Sequence, residues 1–63
     1  MEVHKGDVVA WKHRPHEALN AASEPYTLQG VVYVTCKEMC RPYRSMMIEA
    51  AELVEPQDMD GGV

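Results

Sequence analysis

Two glycine-led β-branched runs constrain this chain more than anything else in it. The first is Lys5-Gly6-Asp7-Val8-Val9 and the second is Gln29-Gly30-Val31-Val32. In each, a residue without a Cβ stands where a turn feeds a strand. Two such turn-to-strand junctions within 63 residues point to a small, strongly bent β fold with one domain. A chain of this length buries only about 60% of the surface its unfolded form exposes, so it gains from a metal, a disulfide or a second subunit.

The supply of bulky core residues sharpens that expectation. Trp11, Tyr26, Tyr33 and Tyr43 are the only aromatics, and there is no Phe. The core must therefore be built from valines, Leu19, Leu28, Leu53, Ile48 and methionines. Such a core is adaptable, and it favours completion by association into a homo-oligomer.

Asp7–Lys12 reads as a first strand with apolar groups on both faces. The stretch 13–25 reads as a long excursion holding a short helix. Pro15 suits a first helical turn, alanines follow, and Pro25 stops the helix. Tyr26–Thr35 carries the strongest strand signal, with Gly30 marking a bulge or bend inside it. Cys36–Pro42 breaks the pattern as a turn. Ser45–Glu55 holds helix formers throughout. The barrel reading instead places a strand through Ile48, a tight turn at Ala50-Ala51 and a short last strand at Leu53-Val54. Residues 1–56 form the expected domain, and 57–63 read as an acidic flexible tail.

At this point the chain resembles SH3-like barrels of the KOW and related bacterial types. The residues that carry the likeness are Gly6-Asp7-Val8-Val9, Gly30-Val31-Val32, Ile48 and Ala51-Glu52-Leu53. It implies a mainly β domain of about five strands, with nucleic-acid binding as a family property. Gly6-Asp7, Gln29-Gly30, Ser45-Met46-Met47-Ile48, Ala51 and Leu53 are also similar to the framework of plasmid-type dihydrofolate reductases. Those are SH3-like barrels that assemble as tetramers around a pore lined by a Gln-Ile-Tyr triplet. The matching triplet here is Met47-Ile48-Glu49. The amide and the phenol that would hold folate and nicotinamide are missing, so no enzymatic activity is expected.

Charge narrows the class of partner. Residues 49–63 carry five acidic groups and no Lys or Arg, whereas residues 1–48 carry six basic and five acidic groups. The whole chain lacks the basic footprint of a nucleic-acid binder. A local basic surface can still form around Lys5, Lys12 and Arg14, with Lys37, Arg41 and Arg44 in a second segment; the candidate contact residues are Lys12, Arg14, His16, Lys37, Arg41, Tyr43 and Arg44. Tyr33 and Tyr43 could bracket Arg41 and Arg44 as a stacking surface for single-stranded nucleic acid. With no apolar run long enough to span a bilayer and no leader-like start, the expected location is cytoplasmic, without a membrane partner.

Metal ligation is the remaining chemistry. Zinc takes thiolate and imidazole in a tetrahedron, and His13, His16, Cys36 and Cys40 supply such a set from two segments. The three residues between the cysteines depart from the usual Cys-x2-Cys knuckle. Two reduced thiols with solvated histidines, and no cofactor, is the simpler reading.

The residues thus lead to a non-enzymatic binding or adaptor module contacting another protein through loop 12–25 and turn 36–44. A nucleic-acid-binding domain and a zinc-stabilised domain stand as the alternatives. The size of the chain suits an accessory protein of a phage or other mobile element.

Overall fold

The computed structural model describes residues 2–57. They form a mainly β structure, an antiparallel sheet curled into a half-barrel. Its strands are β1 (Val8–Trp11), β2 (Arg14–Ala21), β3 (Tyr26–Leu28), β4 (Val31–Glu38), β5 (Ser45–Glu49) and β6 (Leu53–Val54). A 3-10 turn at Ala50–Glu52 joins β5 to β6. No helix among the described residues is long and apolar enough to cross a membrane. The tail expected at 57–63 lies, from residue 58 on, outside the described residues.

β4 is the spine. Its residues Tyr33 and Cys36 pair with Glu49 and Met46 of β5 on one edge. The same two residues pair with Tyr26 of β3 and Ala21 of β2 on the other. β1 then lies beside β2, and β6 beside β1. Because β5 passes directly through the 3-10 turn into β6, the two ends of the sheet are drawn towards each other. The strand-turn-strand reading of 45–55 is what the structure adopts.

The helix expected within 13–25 is not formed; its residues are strand β2, and the one helical element among the described residues is the 3-10 turn at 50–52. Alanine propensity and Pro15 favour a helical turn locally, but pairing with two neighbours outweighs a preference of tenths of a kcal/mol per residue. Leu19 and Ala21 alternate into the core and are almost wholly buried.

Both glycines do lead strands, and both need their freedom. Gly6 has φ +98° and Gly30 has φ +81°. Gly30, however, lies between two strands rather than inside one. Leu28 pairs with Val31, so Gln29-Gly30 is a two-residue hairpin loop. Gln29 also has positive φ, at 51°. Positive φ at both central positions is the signature of a type I′ turn, whose twist matches that of the flanking strands.

The core gathers Val3, Val9, Leu19, Ala21, Val34, Cys36, Ile48 and Leu53, with Trp11, Met46 and Ala50 packed against it. No aromatic ring is among its buried residues; the half-buried Trp11 packs at its side.

Candidate functional site

The site follows from an irregularity in the first hairpin. Val9 pairs with Leu19 and Trp11 with Arg14, so the four residues Pro15–Ala18 stand opposite Ala10 alone. Extra residues in one strand must bow away from the ladder. Pro15 has no N–H to contribute to a ladder and suits this position. The bow is pinned from outside by the chain after β6: the Gln57 N–H donates to the Pro15 carbonyl at 2.7 Å, and His16 Nδ1 lies 3.1 Å from the Gln57 carbonyl.

Across from the bow, β4 ends at Glu38 and the loop 39–44 folds back. The Tyr43 N–H donates to the Cys40 carbonyl at 2.8 Å, and the Glu38 N–H donates to the Arg44 carbonyl at 2.9 Å. Arg44 in turn gives its own N–H to the Glu38 carboxylate at 3.0 Å. Between bow and loop opens a cavity of about 540 Å3 reached by His16, Met39, Arg41 and Arg44. Leu19, Glu17 and Glu38 also line a smaller hollow of about 110 Å3 over Trp11 and Met46. Trp11 and Met46 lead on to a third depression, of about 340 Å3, beside Glu49 and Glu52. The three share walls and form one trough with an apolar floor.

Its rim is charged but largely self-neutralised. Arg14 lies 3.4 Å from Glu17, Arg44 Nε 3.6 Å from Glu38, and Lys12 3.8 Å from Glu52. The cations are exposed and the carboxylates at least partly so, so each pair adds little to stability. Their importance is that three of the expected binding cations already face carboxylates. Arg41 lines the cavity and has no carboxylate partner within salt-bridge distance among the described residues.

Of the expected contact residues, the structure brings together His16, Arg41 and Arg44, with Arg14 in the adjoining hollow. Lys12 sits in the β1–β2 turn. Lys37 faces Asn20 and Ser45 across neighbouring strands, on the outer side of β4, and Tyr43 is exposed on loop 39–44. The stacking bracket of Tyr33 and Tyr43 is not formed. Tyr33 faces Tyr26 with ring centres 6.4 Å apart, about 17 Å of strand away from Glu38, where the loop returns.

The four expected zinc ligands do not converge either, and no group of three or more His, Cys, Asp or Glu among the described residues is arranged to hold a metal. Cys36 occupies an inward position of β4, fully buried, its Sγ 3.7 Å from the Val34 carbonyl. Burial pushes its thiol pKa up. Cys40 lies beyond the strand end and is exposed. His13 packs edge-on against Trp11 at 4.5 Å.

Sequence reasoning missed the floor. Leu19 and the methionines read as core, and the sequence assigns Glu17 and Glu38 no role. Trp11, Leu19, Met39 and Met46, with Glu17 and Glu38, line the hollows beside the bow in β2, and nothing in the local residue pattern announces four residues opposite one. Comparison with protein-family models, with curated proteins and with solved structures found no match for this chain.

Proposed function

We propose that this protein is a non-enzymatic binding module, an adaptor on a small SH3-like barrel that takes an extended segment of another protein in the trough between Pro15–Ala18 and loop 39–44. The observation that carries this reading is the apolar lining of Trp11, Met46 and Leu19 in the hollow beside the bow, joined through Leu19 to Met39 of the loop wall. Recognition grooves of this kind are concave, mostly apolar and edged by a few polar groups that set orientation. Arg41 supplies such a group and suits a carboxylate on the bound segment. The internal pairing of Lys12, Arg14 and Arg44 weighs against a phosphate backbone, which needs several cations in the open.

A displayed random-peptide library panned against the protein tests this. Selected peptides should carry apolar side chains, and should lose binding to Met39→Lys and Arg41→Glu variants while tolerating added salt. Peptides that bind both variants as well as the parent would refute the trough as the site. Tight, steeply salt-dependent binding of a single-stranded oligonucleotide would favour the nucleic-acid alternative.

A further inference from the structure

β5 hydrogen-bonds to β4 on one edge, and its other edge meets no strand among the described residues. β3 and β6 also have one partnered edge, but they are three and two residues long, against five for β5. Free edges in monomeric proteins are usually protected by Lys, Pro, a bulge or extreme shortness. Ser45-Met46-Met47-Ile48-Glu49 has none of these. Its single charge is terminal, and its central residue, Met47, is the most exposed large apolar side chain in the described structure at 53%.

The geometry points to a second copy of this chain as the occupant of that edge, joined as an antiparallel β5–β5 pair about a two-fold axis through Met47. The sequence of the strand is self-complementary in that register. Met47 faces its own copy, Met46 faces Ile48, and Ser45 faces Glu49, so the only carboxylate lies opposite a hydroxyl that can donate to it. The two Glu49 side chains stay about four residues apart, roughly 14 Å, beyond the ~8 Å screening length of physiological salt. A shift of register by one residue would set inward-facing Ile48 opposite the outer face and lose this match.

The outer face of the sheet supports the same partner. Met47, Leu28, Val31 and Tyr33 border one shallow depression, with Leu28 also exposed. A two-fold axis at Met47 brings both copies of this patch side by side, so a single contact covers two apolar patches and two open backbone edges. This surface adjoins the binding site proposed above, since Met46 lines the trough and Met47 and Glu49 line its third depression, but the bow and loop 39–44 that wall the main cavity lie outside it.

Native mass spectrometry and light scattering across a concentration series, with Cys40→Ser throughout to exclude adventitious disulfides, test the assignment. The Cys40→Ser protein should dimerise. Adding Met47→Lys, which sets two ammonium groups face to face on the axis, should weaken the dimer about tenfold or more, with the circular dichroism spectrum unchanged because the side chain is exposed. Met47→Cys should form a symmetric disulfide under mild oxidation. A protein that remains monomeric at high concentration would overturn the proposal. So would a dimer that is indifferent to Met47→Lys and that fails to cross-link in the Met47→Cys variant.

Discussion

The indole N–H of Trp11 donates to Oε1 of Glu52 at 3.1 Å in a half-buried position. The bond sits where the first strand meets the end of the fold. Trp11 pairs in register with Leu53, and the Lys12 N–H donates to the Glu52 carbonyl at 2.9 Å. Glu52 thus anchors the 3-10 turn to the β1–β2 hairpin through side chain and backbone. Glu52→Ala should cost about 1–2 kcal/mol by orphaning the indole N–H, lowering the melting temperature by roughly 4–8 °C per kcal/mol in a domain this small. Glu52→Gln keeps an acceptor and should lose much less. Thermal melts followed by Trp11 fluorescence measure both.

The Gln29-Gly30 turn offers a test with opposite signs. Nothing lies within 4 Å of a Cβ built on Gly30, so Gly30→Ala is disfavoured by backbone conformation alone and should cost about 1 kcal/mol. Gln29 holds positive φ without the short side chain that tolerates it well. Gln29→Asn creates the preferred Asn-Gly pair and should raise stability by a few tenths of a kcal/mol to about 1 kcal/mol. Urea titrations of the two variants should shift the midpoint in opposite directions with unchanged slope.

How much of this was legible depends on where the information resides. Val8–Trp11 could be read because a glycine turn leads a β-branched run, whereas residues 45–54, locally rich in helix formers, could be read only because a small barrel needs a closing strand, a tight turn and a short last strand there. Arg14–Ala21 could not. Its strand state is imposed by β1 and β4 on either side, against an alanine-rich stretch flanked by prolines. The hairpin inside Tyr26–Glu38 was hidden because Gln-Gly is a weaker turn signal than Asn-Gly. The same logic holds for the trough. Segments 12–25 and 36–44, marked in the sequence by their basic residues, contain the two walls of the main cavity. The floor of Trp11, Leu19 and Met46 depends on a register shift between two strands, which is a property of pairing and not of any one segment.

The two thiols should separate cleanly. Cys40 is exposed, whereas Cys36 is fully buried with its pKa pushed up by that burial, which suppresses the reactive thiolate. A thiol-reactive chromophore should modify one cysteine rapidly in the native protein and the second only on unfolding. Cys36→Ser places a hydroxyl in an apolar core and should cost about 1–3 kcal/mol, while Cys40→Ser should be nearly neutral. Since the four expected zinc ligands are dispersed, a strong chelator should leave the melting temperature where it was. A drop on chelation would restore the zinc-stabilised alternative.

His4 and Glu24 give the fold a pH dependence whose sign can be worked out. His4 Nδ1 lies 3.1 Å from Glu24 Oε1, and the Lys5 N–H donates to Glu24 Oε2 at 3.0 Å. Together they fasten the arm that carries buried Val3 to the segment between β2 and β3. The hydrogen bond and charge of Glu24 raise the His4 pKa above its ordinary 6.5. The Lys5 N–H, then His4, lower that of Glu24 below 4.5. The histidine contribution is complete below pH 6.5 and is lost as pH rises through the raised value. The carboxylate contribution is complete above pH 4.5 and is lost as pH falls through the lowered value. The clasp is therefore strongest between those two limits and weakens on both sides. Both groups are exposed, so salt should shrink the effect. Melting temperatures of the parent and His4→Gln, measured from about pH 3.5 to about pH 8.5, should differ most near pH ~5.5 and converge at the alkaline end. A pH-independent difference would assign His4 a packing role and remove the charge from the account.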